Sequence, residues 1–479
     1  MNDLSLTTLD GGRTTISAAA LDALAATLRG TLLYATDPDY QTARTIWNAM
    51  IDRRPGVIVR CAGTADVINA VRFARDNGLL VAVRGGGHNI AGNAVCDGGM
   101  MIDLSQMKSI RVDPVAQRAV VEPGATLGDI DRETQAFGLA VPTGINSTTG
   151  IAGLTLGGGF GWTTRKLGLT IDNLLSADVV TANGELVRAS ATENPDLFWA
   201  IRGGGGNFGV VTAFEFKLHQ VGPQVLAGLV VHPLENAETI LKEYRAALET
   251  APDELTCWTI MRKAPPVPFI PAEWHGKEVL VLGICYCGDP EAGQTAAAGL
   301  RAIGSPIADI VGPMPLTEWQ RALDPLLAPG ARNYWKSHDV AELSDPLVAL
   351  LIDAAWHLPG PECELVLGHV GGAAGRVPIE ATAFPQRLSH FVLNVHTRWR
   401  EPEMDDACIA WARALFEAAR PHATGTAYVN FMPGDEPDRV EAAYGANYQR
   451  LVDTKRRYDP ANLFRMNQNV TPAAERRAA

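Results

Sequence analysis

Arg84-Gly85-Gly86-Gly87-His88-Asn89 follows the apolar run Leu79-Leu80-Val81-Ala82-Val83. The apolar run reads as a buried strand, and three consecutive glycines remove every Cβ from the loop after it. Backbone N–H groups in such a loop can close on an anion such as a pyrophosphate. His88 adds a nitrogen nucleophile where a bound cofactor would lie. The stretch reads as a loop that cradles phosphates and grips its cofactor covalently.

Two further glycine clusters follow, Gly153 to Gly161 and Gly203-Gly204-Gly205-Gly206-Asn207-Phe208-Gly209. One such loop is weak evidence for nucleotide binding. Three in one region point to a large cofactor that needs several close backbone approaches, against the alternative of glycines serving only tight turns. The spacing is not the GxGxxG of a Rossmann unit, and no Walker lysine is present.

Around these loops the pattern alternates. Helices are expected at 18–29 and 41–51, a first strand at Val57-Ile58-Val59, and a helix from Thr64 with Val67, Ala70, Val71 and Ala74 on one face. Strands follow at 79–83, Met100 to Leu104 and Ala119-Val120-Val121, then a helix at about 126–137. Ala182-Asn183-Gly184-Glu185 is a hairpin turn between Asp178-Val179-Val180 and Leu186-Val187. Composition shifts at Gln220-Val221-Gly222-Pro223. Beyond it, strands at 278–286, 363–370 and 391–399 and helices at 235–249 and 343–356 suggest a sheet covered by helices. The last segment, Tyr428 to Val470, carries a polar helix and is expected to return to the first domain.

The chain has 479 residues, enough for two or three domains, with 47% hydrophobic and 20% charged residues and a formal net charge of −12. That charge argues against nucleic acid as a partner. Seven cysteines, an odd number with no CxxC pair, argue against a disulfide framework, and Cys285 and Cys287 read as small packing residues. The ten histidines form no ligand-spaced cluster, so no metal is expected. Neither a signal pattern nor a membrane-spanning run is evident, which makes a cytoplasmic protein the simplest expectation.

The runs Val83 to Asn89, Thr155 to Trp162 and Phe198 to Gly209 resemble the FAD-binding domain of the vanillyl-alcohol-oxidase superfamily. The tail from Asn447-Tyr448 through Tyr458-Asp459-Pro460 to Asn467-Gln468-Asn469 resembles the C-terminal signature of its berberine-bridge-enzyme-like branch. The resemblance covers nearly the whole chain. It implies an α+β architecture: a two-part PCMH-type FAD-binding domain plus an α/β substrate domain whose antiparallel sheet is covered by helices. The corresponding spans are 1–54 and 55–222 for the flavin domain, 223–425 for the substrate domain and 426–479 for the returning segment.

The resemblance also implies site residues. His88 falls on the histidine that bonds to the flavin 8α-methyl carbon, within Arg84, Gly85, Gly86, Gly87, Asn89 and Gly92. In the loop Thr143-Gly144-Ile145-Asn146-Ser147-Thr148-Thr149, Asn146 stands where many relatives carry a second, cysteinyl link. A single covalent bond to FAD is therefore expected, and Cys96, in a different loop, does not substitute. Thr149 occupies the position where valine accompanies oxidases. Gly153, Gly158, Phe160, Gly161, Val210, Asn467 and Asn469 complete the implied cofactor contacts.

For catalysis, Phe391 to Trp399 alternates and places Asn394, His396 and Arg398 on one face. His396 is a candidate base, or else part of a solvent-facing polar edge. Tyr428-Val429-Asn430-Phe431 resembles a family strand that lines the flavin and puts Tyr428 and Asn430 on one face. Phe431 departs from the usual tyrosine, which casts doubt on a phenolate base. His369, Tyr334 and Trp335 are weaker candidates, the last two reading as core, and Lys455-Arg456-Arg457 reads as a solvated helix face. The implied reaction is hydride transfer from a small organic substrate, a secondary metabolite, amine or alcohol, to FAD, with reoxidation by O2 to H2O2. A quinone-using dehydrogenase and a drug-sequestering flavoprotein are the alternatives. Oligomeric state is not legible.

Overall fold

Short β-branched and aliphatic runs build three principal sheets in the computed structural model, which describes residues 3–472; the first two and last seven residues of the expected spans lie outside them. β1 (Leu4–Thr7) and β2 (Arg13–Ile16) form a hairpin. The first principal sheet runs β3 (Thr31–Leu33), β4 (Val57–Arg60), β6 (Met100–Asp103), β5 (Val81–Arg84). β4, β6 and β5 are parallel, and the Thr64–Asp76 helix lies between β4 and β5 in the chain. The second sheet is antiparallel, in the order β11 (Leu186–Ser190), β10 (Leu174–Val180), β12 (Val210–Lys217), β8 (Arg118–Val121), β7 (Ile110–Asp113). The predicted hairpin is β10–β11. A short pair, β9 (Leu139–Ala140) with β13 (His219–Gln220), precedes the third sheet.

That third sheet is wholly antiparallel. Its order is β17 (Ala308–Asp309), β14 (Gln224–Pro233), β16 (Glu278–Tyr286), β15 (Leu255–Lys263), β20 (Glu364–His369), β21 (Phe391–Trp399), β19 (Arg332–Val340), with β18 (Gly312–Pro315) also on β14. Because strand side chains alternate, Leu393 and Val395 enter a core with the covering helices, among them Ala237–Glu249 and Asp345–Trp356. Asn394 and His396 face the other way. The architecture is α+β.

Several local expectations change. Of 41–51 only the first four residues are helical, within the helix Tyr40–Arg44. The chain then turns extended because Trp47 Nε1 donates to Leu327 O (2.8 Å) and Asn48 Nδ2 to Ile90 O and Asn333 O (3.1 and 2.9 Å). Three strands precede Val57, each only three or four residues long and too short to show a period. Val429–Phe431 is a 3-10 turn and not a strand. Lys455 is not solvated but fully buried. Its ammonium donates to Asp459 Oδ2 (2.7 Å), Asn207 O (2.7 Å) and Phe464 O (3.1 Å). The returning segment is thereby pinned to the third glycine cluster.

Candidate active site

One cavity of about 500 Å³ lies between the three sheets. β5 and its glycine loop form one wall, Gly205, Gly206 and Asn207 with Met466, Asn467 and Gln468 a second, and the open face of the third sheet the floor. Glycine is required where the loops meet. A Cβ on Gly86 would lie 2.4 Å from Gly150 N and Cα, so backbone packs on backbone there.

His88 stands in this wall, stacked on Trp47 with ring centroids 5.2 Å apart. Thr148 N and Thr148 Oγ1 both donate to Asn146 Oδ1 (3.0 and 2.7 Å), which fixes the amide orientation and uses the Thr148 hydroxyl proton. The Thr148 oxygen, 3.0 Å from His88 Nε2, is left to accept. The network therefore puts the imidazole proton on Nε2 and a lone pair on Nδ1, 3.5 Å from Thr149 Oγ1. Desolvation pushes the His88 pKa down to about 4, so the ring is neutral near pH 7.

On the floor, His396 is buried inside the sheet, with β20 and β19 on either side, so the solvent-facing edge is ruled out. Its Nδ1 lies 3.0 Å from Glu364 Oε1, and Arg262 Nη1 donates to Glu364 Oε2 (2.7 Å). Burial opposes ionisation of Glu364, but Arg262 and the His396 hydrogen bond outweigh it and hold the carboxyl at about 2. A carboxylate there keeps a proton on Nδ1, and Nε2 lies 3.4 Å from Asn333 Oδ1. Asn394 Oδ1 is buried on the same floor with no hydrogen-bond partner.

Although Tyr428 and Asn430 lie on a 3-10 turn, their side chains meet. Asn430 Nδ2 (2.9 Å) and Gly159 N (3.3 Å) donate to the Tyr428 oxygen. Burial raises the Tyr428 pKa to about 12, so it is a neutral phenol at ordinary pH.

The cavity wall brings together Gly85, Gly86, Gly87, His88, Asn89, Gly144, Asn146, Thr149, Gly153, Phe160, Val210 and Asn467 with Asn394, His396, Tyr428 and Asn430. Seven candidates stand off it. Arg84 turns away to Ala43 O and lies 4.0 Å from Asp103. Gly92 packs on Ile51, Gly158 on Phe384, and Gly161 on Thr143 O. Thr143 accepts from Gln320 Nε2 (2.8 Å), Thr148 sits behind His88, and Asn469 Oδ1 is buried without a partner. Trp335 lines the cavity, edge-on to His396 at 4.7 Å, whereas Tyr334 bonds Asp435 and His369 bonds Arg165, both away from it. Trp47, Arg262 and Glu364 are wall residues absent from the sequence candidates. For Arg262 and Glu364 the signal is a charge one residue from the end of β15 and another opening β20.

Residues 55–190 match the FAD binding domain family and residues 427–471 the berberine and berberine-like family. A Dictyostelium discoideum FAD-linked oxidoreductase is 33% identical over 90% of this chain and 92% of its own length. The chain belongs to the berberine-bridge-enzyme-like FAD-linked oxidoreductases. (R)-6-hydroxynicotine oxidase of Paenarthrobacter nicotinovorans is 30% identical, covering 93% of this chain and 97% of its own. Wild-type BBE-like 1 of Physcomitrella patens superposes with a TM-score of 0.84 at 26% identity, over 95% of this chain and all of that one.

The residues of this berberine-bridge-enzyme-like chain fit FAD. Side-chain-free loops line the cavity together with Asn467 and Gln468, and an imidazole stands in the wall. Among the described residues, no group of His, Cys, Asp and Glu is arranged to hold a metal, and every cysteine is free and buried. Among the described residues, no helix is long and apolar enough to cross a membrane.

Proposed function

We infer that the protein is an oxidase of a small organic alcohol or amine, with FAD held by one covalent bond to His88. In this reading residues 55–222 with 1–54 and 426–479 form the flavin domain, and 223–425 the substrate domain. The observation that carries it is the placement of His88, stacked on Trp47, on the wall of the same cavity whose floor presents Asn394 and His396. Bound FAD would supply the acceptor for a hydride from substrate carbon, with dioxygen as the final oxidant and H2O2 as its product.

The chain's own residues supply the rest. Gly85 to Asn89 and Gly205 to Asn207 hold the dinucleotide through backbone groups. Asn146 occupies the place of the second link and cannot form a thioether, and Thr149 beside His88 supports access by oxygen. Asn394 Oδ1 accepts from the substrate hydroxyl or amine, and His396, beside it on the floor, takes its proton as the C–H bond breaks. Glu364 and Arg262 hold His396 in position. The Tyr428 phenol donates to no base and orders Gly159 and Asn430.

The test is intact mass before and after acid precipitation, with oxygen uptake on an alcohol and amine panel. One flavin that survives denaturation and is lost in His88→Ala, together with stoichiometric H2O2, is the expected result. Flavin released by acid overturns the covalent link, and turnover with a quinone alone overturns the oxidase reading.

A further inference from the structure

The floor of the cavity is chemically graded, and the grading is set by register. One row across the sheet reads Trp335, His396, Glu364, Arg262, Val279, from β19 through β21, β20 and β15 to β16. The next reads Asn394, Val366, Ile260, Val281, Val231, from β21 to β14. All of these residues line the cavity. The polar groups lie on β19, β21, β20 and β15, and nothing but Val and Leu lines the cavity from β16 and β14. Val267, Phe269 and Ile270, from the chain after β15, line the apolar end as well and pack on it.

The polar end is also the His88 end. His88 stacks on Trp47, Trp47 meets Trp335 edge-on at 5.7 Å, and Trp335 meets His396 at 4.7 Å. Hydrogen-bonded strands sit about 4.8 Å apart, so the four spacings from β21 to β14 make a floor ~19 Å across. Arg262 and Glu364 neutralise one another. Two buried groups remain unmatched at the polar end among the described residues, the acceptor Asn394 Oδ1 and the donor Trp335 Nε1.

Resting on the oxidase reading, we propose that the substrate is an elongated, uncharged amphipath. A single O–H or N–H donor at its oxidised end seats on Asn394 beside His396. A hydrocarbon or aromatic body runs from there across Ile260 and Val281 to Val231. A sugar is excluded by the same pattern, because its ring of hydroxyls would lie on Val and Ile with nothing to bond.

The experiment uses the flavin-loaded protein and two probe series with alkyl groups from methyl to octyl, para-alkylbenzyl alcohols and para-alkylbenzylamines, the amines run above the pKa of their ammonium forms so that they are uncharged. Glucose and cellobiose are the contrast. Binding is read by calorimetry without turnover, and reaction by anaerobic bleaching of the flavin. The expected result is that Kd falls about two- to fourfold per added methylene until the β14 wall is reached. Whichever series bleaches the flavin identifies the donor as hydroxyl or amine. Val281→Phe narrows the apolar end and lowers the octyl-to-methyl ratio of kcat/KM at least tenfold. Val231→Ala, which a core tolerates more readily, moves the optimum to longer chains. Bleaching by sugars, or a Kd indifferent to chain length, overturns this inference and leaves the oxidase reading standing. Flavin that no donor bleaches overturns both.

Discussion

Thr148 Oγ1 lies 3.0 Å from His88 Nε2 and has already given its own proton to Asn146. The hydroxyl is thus a fixed acceptor that chooses the imidazole tautomer. Thr148→Val keeps the shape and removes the acceptor, so Nε2–H loses its partner and the Nδ1 lone pair is no longer enforced. A neutral hydrogen bond is worth about 1 kcal/mol. Flavin attachment in Thr148→Val is expected to slow roughly fivefold, and that in His88→Ala to vanish, in a time course of acid-stable flavin read by intact mass. An unchanged rate in Thr148→Val would dissociate the tautomer from attachment.

Glu364 ties catalysis to acid stability. Its folded pKa, about 2, lies below the ordinary glutamate value of about 4.3. The stability it contributes is therefore complete above pH 4.3 and lost as pH falls through the interval to 2. Glu364→Gln leaves Arg262 with no carboxylate. The variant is expected to have a lower Tm than the parent at pH 6 to 7 and to converge with it by pH 2 to 3. Melting curves across that range check the sign, and a Tm gap that widens on acidification would contradict it.

What was legible in the sequence followed from local rules. The glycine loops are visible because only glycine permits Gly86 against Gly150, and β21 because it alternates over nine residues. Lys455 was not legible. Its burial depends on Asn207 O, 248 positions away in sequence. Arg262 and Glu364 likewise pair only once β15 lies beside β20. Tyr428 and Asn430 came together through a turn that a strand pattern does not announce. The glycine-loop wall of the cavity was readable as motifs, whereas the neighbours of Asn394 and His396 on its floor are set by strand register.

Tyr428 gives a negative expectation. With its pKa raised to about 12 by burial and its oxygen accepting from Asn430 and Gly159, it is not an ionised base at working pH. Tyr428→Phe removes two accepted hydrogen bonds and is expected to lower kcat by no more than about tenfold. The kcat/KM profile between pH 8 and 10 should keep its shape. Loss of an alkaline limb in Tyr428→Phe would reinstate a phenolate mechanism.

Lys455 carries the last prediction. Its ammonium is buried between Asp459, Asn207 O and Phe464 O, and the chain it anchors continues into Met466, Asn467 and Gln468 on the cavity wall. Lys455→Met leaves Asp459 buried with backbone donors from Leu463 and Phe464 but no countercharge. Removing one partner of a buried pair costs about 3–5 kcal/mol. Lys455→Met should unfold at markedly lower urea and lose bound flavin as the wall detaches, seen as a lower flavin-to-protein absorbance ratio. The double variant Lys455→Met with Asp459→Asn, which buries no charge, should recover part of the stability. If it recovers none, the ion pair acts through the carbonyl contacts alone and the electrostatic account fails.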